Sequence, residues 1–204
     1  MGKLDTNKRK KRESLFNTAF ELFTTKGMSK TSISDIVDKA GVAKGTFYLY
    51  FKDKYDIRNK LISHKSSELF LKAADGLKKL KHPTFEEKII FLIDHIIDQL
   101  NDNKSLLILI SKNLSWGIFR DALSSPTNSG DVDFKKIYDK MLEQTDDIFK
   151  DPEVMLFMIA ELVGSTCYSV ILYSEPVDLK TYKPYLFESV HNIIEANKIG
   201  KKEE

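Results

Sequence analysis

Apolar residues recur along this chain at the three- and four-residue spacing of an α-helix. The clearest short stripe is Ile33, Ile36, Val37 and Ala40. Longer stripes run through residues 15–23, 57–80, 89–100, 134–148, 153–174 and 180–198. Val/Ile-rich runs with the alternation and turn signals of β-strands are missing. The pattern therefore predicts an all-α protein without strands, with three short N-terminal helices followed by a larger helical part.

Residues 31–54 are predicted to form two short helices joined by a tight turn. Ser32, followed three residues later by Asp35, resembles a capping box at the start of the first helix, with Thr31 as the alternative cap. Gly41 ends that helix, because glycine adopts the left-handed conformation at a helix end without steric cost.

The second helix of the pair, from Lys44 to about Phe51, has two different faces. At about 100° per residue, Phe47 and Tyr50 lie on the side that packs against the first helix, with Phe51 beside Phe47. The residues expected to point outward are Lys44, Gly45, Thr46 and Tyr48, and Leu49 lies in the same arc as Lys44 and Tyr48. This is the arrangement of a helix-turn-helix whose second helix lies in the major groove of DNA.

The stretch AGVAKGTFYLYFKDKYDI resembles the DNA-binding signature of the TetR family of transcriptional regulators. The matching features are TS-I-x-DI before the turn, then A-G-V, K-G-T, Y-x-Y-F and the following Lys54. They lie within about residues 9–58, while the rest is similar to the family only in length and helical pattern. Two positions depart from the family pattern: Ala43 stands where Ser or Thr is common, and Leu49 where a polar residue is common.

The resemblance implies an N-terminal DNA-binding domain, residues 1–53, and a C-terminal ligand-binding and dimerisation domain, residues 54–204. A long helix, capped by Asp53 and running to about Leu80, would link the two. Lys44 and Thr46 are expected to contact bases or phosphates, and Gly45 to let the backbone approach DNA. Further DNA contacts are expected from Thr31, Ser32, Tyr48, Leu49 and Lys54.

Charge is unevenly distributed along the chain, although the formal net charge is only +2. Residues 1–58 hold 13 Lys/Arg against 7 Asp/Glu, whereas residues 59–204 hold 19 against 23. This asymmetry favours a polyanion at the N-terminal end. Residues 1–8 are expected to be disordered. The basic run 8–12 is either an arm that reaches DNA phosphates or the minor groove, or a solvated tail and helix start.

Catalytic and metal-binding signals are weak. The four histidines stand far apart without a ligand motif, and a lone Cys167 allows neither an intramolecular disulfide nor a zinc spacing. The protein is therefore not expected to be an enzyme or to need a cofactor. A charged N-terminus without an apolar run favours a cytoplasmic location. The apolar segment 154–173, interrupted by Glu161, is interpreted as a buried helix and not a membrane span.

The C-terminal half offers a candidate effector pocket and a candidate dimer interface. The pocket residues, each equally expected in a plain core, are Trp116, Phe119, Tyr138, Met141, Met155, Met158 and Tyr168. The resemblance implies that the last two helices, 153–174 and about 180–198, pair with their copies in a dimer. The interface residues are Gly164, Tyr182, Tyr185, Phe187, Val190 and Ile194. Core packing of a monomer is the alternative.

The function predicted from the sequence is a ligand-responsive repressor that binds a palindromic operator as a homodimer. Its partners would be double-stranded DNA, a second copy of the chain and a small apolar effector, with no membrane involved. The alternative is a DNA-binding regulator without small-molecule control, acting through a protein partner or as an activator.

Overall fold

Helices make up most of the computed structural model, which describes residues 3–111 and 134–202. In chain order they are α1 (Lys3–Thr25), α2 (Ile33–Ala40), α3 (Lys44–Tyr48), α4 (Lys54–Leu77), α5 (Phe85–Asp102), α6 (Lys104–Ser111), α7 (Phe134–Gln144), α8 (Pro152–Tyr173) and α9 (Leu179–Asn197). The all-α class predicted from the hydrophobic pattern is confirmed.

One small sheet departs from that prediction. Strands β1 (Asp147–Phe149) and β2 (Lys198–Lys201) pair antiparallel, with Asp147 opposite Lys201 and Ile148 opposite Gly200. The expectation of no strands is wrong here. Strands of three and four residues are too short for a two-residue alternation to be recognised, and their pairing joins segments far apart in sequence.

The chain forms two compact units, Met1–Lys65 and Ser66–Glu204, which divide within α4. The boundary drawn from the sequence lay at the start of that helix, between residues 53 and 54. The first turns of α4 belong to the first unit because Ile57 and Leu61 are buried. The His64 ring also stacks on the ring of Phe16, with centroids 5.4 Å apart.

Helix α1 supplies most of the core of the first unit. Its buried residues include Leu15, Phe16, Ala19, Leu22 and Phe23. The helix begins at Lys3, so the expectation of disorder over residues 1–8 is corrected for residues 3–8. Lys and Arg are good helix formers, and Arg9 lies 3.5 Å from Glu13 at the favourable i,i+4 spacing.

Helices α8 and α9 pack against each other in the second unit, and both contact α5. A side-chain cap precedes each of these three helices. Thr84 forms a capping box with Glu87 before α5, and the carboxylates of Asp151 and Asp178 accept backbone N–H groups in the first turns of α8 and α9. These caps satisfy backbone N–H groups that have no partner within the first turn of a helix.

An ion-pair cluster joins α9 to α5. The Nζ atom of Lys183 lies 2.6 Å from Oδ1 of Asp94 and 2.6 Å from Oδ1 of Asp98. Burial lowers the pKa of Lys183, but the hydrogen bonds to both carboxylates outweigh it, and the pKa lies above its usual value. The lysine therefore stays charged between the two helices.

Gly76 is required by packing near the end of α4. A Cβ atom at this position would lie 2.8 Å from the Phe91 ring. The helix passes through this glycine and ends at Leu77, slightly before the end predicted at about Leu80.

Helix α8 is long and apolar enough to cross a membrane by length and composition, yet only 28% of its most apolar window is buried within the chain. The expectation of a helix buried on most sides is therefore not met by a single copy.

One buried residue of this helix is Cys167, and burial raises the pKa of its thiol to about 11.

Candidate functional site

A capping box fixes the start of α2. The Ser32 hydroxyl accepts the backbone N–H of Asp35 at 3.0 Å, and the Asp35 carboxylate accepts the backbone N–H of Ser32 at 2.7 Å. The Ser32 hydroxyl also donates to that carboxylate at 2.7 Å. These side-chain and backbone bonds from Ser32 hold the pKa of Asp35 below its usual value. The sequence prediction of this cap is confirmed.

The turn between α2 and α3 depends on Gly41. Its φ of 67° lies in the left-handed region, and its N–H points to the carbonyl groups of Asp38 and Val37. The Val42 N–H bonds to the same Val37 carbonyl at 3.0 Å. Ala43, the residue before α3, offers no side-chain cap. Its carbonyl accepts the Thr46 N–H at 2.8 Å, which closes the first turn of α3.

An aromatic cluster anchors the inner face of α3. Phe47 of α3 and Phe51, which lies beyond the observed helix end at Tyr48, are almost completely buried, with ring centroids 5.4 Å apart. Phe51 also contacts Phe16 of α1, with centroids 5.3 Å apart. Edge-to-face and tilted ring pairs of this kind are favourable beyond their buried area. They fix the rotation of α3 about its axis, and so determine which residues point outward.

The outer face of α3 carries Lys44, Gly45, Tyr48 and the following Leu49, all of them exposed. Tyr48 is 54% exposed and Leu49 is 79% exposed. Thr46, at the edge of this face, is half-buried. We call these five residues the outer face of α3. The structure brings them together on one continuous surface.

Gly45 lies in the middle of the outer face, and nothing among residues 3–111 and 134–202 requires a glycine there. A Cβ atom at this position would meet no atom within 4 Å, and the backbone is not in the left-handed region. Glycine inside a helix costs about 0.5–1 kcal/mol relative to alanine. A residue that costs stability without a packing reason points to a requirement outside the folded chain.

Thr31 does not belong to this surface. It is 1% exposed, and its hydroxyl donates to the Gly27 carbonyl at 2.8 Å. The expectation that Thr31 contacts DNA is corrected for this reason: the hydroxyl closes the loop between α1 and α2. Ser32 is exposed, but its hydroxyl proton is already bonded to Asp35.

Lys54 is half-buried at the start of α4, with its ammonium group directed to the α1–α2 loop. Its Nζ atom donates to the carbonyls of Met28 at 2.8 Å and Thr31 at 2.9 Å. An ammonium has three N–H donors, so one is left for an outside acceptor. The Asp53 carboxylate caps α4 by accepting the N–H groups of Tyr55 and Asp56, as expected.

The second unit contains an apolar cavity of about 130 Å³. Its wall includes Leu69, Phe70, Ile93, Phe134, Ile159 and Ala160. Its polar group is the hydroxyl of Ser66, which has no hydrogen-bond partner in the described part of the chain. Such a cavity suits an apolar small molecule with a polar group at the position of Ser66.

None of the predicted pocket residues that the structure describes lines this cavity. Met141 and Met155 are buried elsewhere, Tyr138 donates to the Pro152 carbonyl at 2.8 Å, and Met158 is exposed on α8. Tyr168 is half-buried and also lies outside the wall. Trp116 and Phe119 lie outside the described residues. The prediction favoured aromatic and methionine side chains, whereas the wall is mostly aliphatic.

The predicted interface residues fall into two groups. Gly164 and Tyr185 are exposed, and Tyr182 and Phe187 are half-buried. Val190 and Ile194 are fully buried within the chain. The interface prediction for these last two is corrected, because they face the core between α9 and its neighbours.

Comparison with known proteins addresses the first unit directly. A family model described as bacterial regulatory proteins of the tetR family matches residues 15–61. The first unit therefore carries the N-terminal domain of the tetR family.

Relatives match part of the chain as well. An uncharacterised helix-turn-helix-type transcriptional regulator of Bacillus subtilis is 36% identical over 109 residues, which are 52% of this chain and 53% of the relative. The fatty acid metabolism regulator protein of the same organism is 31% identical over 107 residues, 52% of this chain and 54% of the relative. The matched part thus spans about half the length of these two relatives.

A solved structure resembles more of the chain. FadR from Bacillus subtilis, solved in complex with stearoyl-CoA, superposes with a TM-score of 0.64 over 87% of this chain and 96% of its own. The sequence identity is 21%, so this likeness concerns the fold. It agrees with an N-terminal helix-turn-helix unit and a C-terminal helical unit.

The buried position of Thr31 generates a prediction that separates folding from DNA contact. Thr31→Val removes a buried donor and should lower the free energy of unfolding by about 1–2 kcal/mol. Affinity for DNA, measured well below the melting temperature, should stay within about twofold of the parent.

Thr25→Val is the matched control, since its hydroxyl bonds to Glu21 at the exposed surface of α1. It should change stability by less than about 0.5 kcal/mol. Lost DNA affinity in Thr31→Val without a change in stability would contradict the internal role of this hydroxyl.

Proposed function

We propose that this protein is a transcriptional repressor that binds a palindromic operator as a homodimer and releases it when an apolar effector binds the second unit. The observation that carries the proposal is the outer face of α3, which offers DNA a cation, a phenol and an unobstructed backbone. The match of the first unit to the tetR family supports a DNA-binding regulator, and the likeness to FadR supports an effector domain.

The outer face divides into groups with different tasks. Lys44 and Tyr48 lie one turn apart on one flank, where they donate to phosphates and set the position of the helix. Thr46 lies on the other flank, within reach of a base edge or phosphate. Gly45, between the flanks, lets the α3 backbone approach the groove. Lys54 adds a weaker contact through its remaining N–H donor, whereas the hydroxyl and the backbone N–H of Ser32 both donate to Asp35 and leave it no donor for DNA.

The N-terminal part of α1 extends the positive surface. Lys8, Arg9, Lys10 and Lys11 are exposed on this helix, in a unit whose basic residues outnumber its acidic ones. Basic residues that neutralise phosphates release counterions, so binding is expected to weaken steeply with salt. Because this segment is helical, it contributes as a charged helix face and not as a disordered arm.

Gly45→Ala is the sharpest test of the DNA-binding surface. The added methyl group should raise the free energy of unfolding by about 0.5–1 kcal/mol, since it meets open space inside the chain. It should weaken binding to operator DNA by about tenfold or more, because it occupies the space of closest approach. The operator is obtained by repeated selection of random duplexes with the parent protein, and affinity is measured by fluorescence anisotropy.

Lys44→Ala serves as the companion variant. It should weaken binding and reduce the slope of log affinity against log salt by about one. A Gly45→Ala protein that binds DNA as the parent does, with its salt slope unchanged by Lys44→Ala, would show that α3 is not the recognition helix.

The dimer proposal is supported by the outward faces of α8 and α9. Val154, Phe157 and Met158 of α8 are exposed, and Tyr185 of α9 is 64% exposed. Gly164 continues the α8 stripe, and a Cβ atom there would meet nothing within 4 Å. Small residues at such a position let a second helix approach closely. A twofold dimer would also place two α3 helices for half-sites about 34–36 Å apart.

Tyr185→Asp tests this interface. A charge placed in the centre of an apolar contact should weaken self-association on the order of a hundredfold, because the carboxylate loses water without gaining a partner. Sedimentation equilibrium should show a dimer for the parent and a monomer for the variant at the same micromolar concentration. Asn101→Asp, at an exposed position of α5, is the control and should remain dimeric. A monomeric parent would end the dimer proposal.

The effector proposal is supported by the cavity behind Ser66. Its aliphatic wall excludes strongly polar ligands, and FadR of Bacillus subtilis, which has the same fold, was solved with stearoyl-CoA. We therefore propose an acyl chain or a similar apolar molecule as the effector, with the Ser66 hydroxyl bonding a polar atom of it. Binding would favour a conformation with lower DNA affinity, and couplings of about 1–3 kcal/mol are typical.

Ala160→Phe should block the effector without blocking DNA. The larger side chain fills the cavity next to Ile159, so saturated acyl-CoA esters should no longer release the variant from its operator. Operator affinity without ligand should stay within about threefold of the parent. Coenzyme A without an acyl chain is the ligand control, and thermal unfolding checks that the variant is folded.

Release of the parent by none of the acyl-CoA esters or free fatty acids would reject this effector class. Screening other apolar compounds by thermal shift would then distinguish a different effector from regulation by a protein partner. Equal release of parent and Ala160→Phe would place the effector outside this cavity.

A further inference from the structure

Leu49 occupies the centre of the outer face of α3. At about 100° per residue, Lys44 and Tyr48 form one flank and Thr46 the other, and Gly45 and Leu49 lie between them, one helical turn apart. Leu49 still has right-handed helical backbone angles, so it continues this arrangement beyond the last helical residue. The middle of the surface thus carries one residue without a side chain and one leucine.

Leu49 is exposed to an unusual degree for its type. At 79%, it is the most exposed of the large apolar side chains in the described part of the chain. Its neighbours on the inner face, Phe47 and Phe51, are buried completely enough that the helix cannot rotate to cover it. The fold therefore holds an apolar group in water at the centre of the outer face of α3.

The chemistry of this central pair restricts what it can recognise. Neither Gly45 nor Leu49 has a side-chain hydrogen-bond donor or acceptor. In the major groove, the edges of the bases present nitrogen and oxygen groups, and the one apolar group among them is the 5-methyl of thymine. A leucine over a guanine or cytosine edge would remove polar groups from water without bonding them.

We propose that Leu49 packs on the 5-methyl group of a thymine in each half-site of the operator. This makes Leu49 a specificity-determining residue that reads one base by apolar contact, while Lys44 and Tyr48 position the helix on the phosphates. The inference rests on the proposed function, because it requires α3 to lie in the major groove.

The test removes the methyl group and nothing else. In the operator selected with the parent protein, each thymine is replaced in turn by deoxyuridine, symmetrically in both half-sites, and affinity is measured by fluorescence anisotropy at fixed salt. Burial of one methyl group corresponds to about fourfold in affinity, so one symmetric pair of replacements should weaken parent binding on the order of fifteenfold.

Leu49→Ala should bind the thymine and deoxyuridine operators with affinities within about twofold of each other at that position. Because Leu49 is exposed, this substitution leaves the core intact, and a thermal unfolding curve confirms it. Tyr48→Phe is the matched control on the flank: it should bind more weakly overall but keep the full difference between thymine and deoxyuridine.

Two results would overturn the inference. In one, no deoxyuridine replacement costs the parent more than about twofold; in the other, the cost persists undiminished in Leu49→Ala. Both leave DNA binding by α3 in place. A parent protein that enriches no duplex at all, even at low salt, is a different result: it rejects the proposed function and this inference with it.

Discussion

The contact of Phe47 and Phe51 with Phe16 is the constraint on which the DNA-binding surface depends. A helix of five residues makes too few backbone hydrogen bonds to be stable alone, so α3 persists because its inner face is packed. The same packing fixes its rotation. If these rings repacked, the helix would turn, and Lys44, Gly45 and Leu49 would leave the exposed surface together. Core stability and DNA recognition are therefore two consequences of one aromatic cluster.

Local signals made part of this structure predictable from the sequence. The capping box of Ser32 and Asp35, the left-handed Gly41 and the Asp53 cap each depend on residues within a few positions of one another. The faces of α3 were also predictable, since helical periodicity assigns Phe47 and Leu49 to opposite sides. Helical content of the C-terminal half followed from the same periodicity.

Other features depend on partners distant in sequence, and these were not predictable. Thr31 appeared as a polar residue near the helix-turn-helix, yet its hydroxyl is used by the Gly27 carbonyl in a buried loop. Val190 and Ile194 share a helix with Tyr185, and periodicity separates their faces without telling which one meets α8 or α5. The cavity wall combines residues from α4, α5 and α8, so its composition emerges only when those helices pack.

Some glycines of this chain indicate contacts with other molecules, because internal packing does not explain why a side chain is missing there. Gly76 is explained from within, because Phe91 fills the space where its Cβ would lie. At Gly45 and Gly164 a Cβ would meet no atom of the described residues within 4 Å, and both positions are exposed, with Gly164 also lining the apolar cavity. Both weaken their helices relative to alanine. Because no packing contact within the described residues requires these glycines, the lost helix stability is best explained by a close approach from outside. DNA would approach at Gly45, and a second α8 helix at Gly164. The two proposals thus stand on the same physical argument applied to different surfaces.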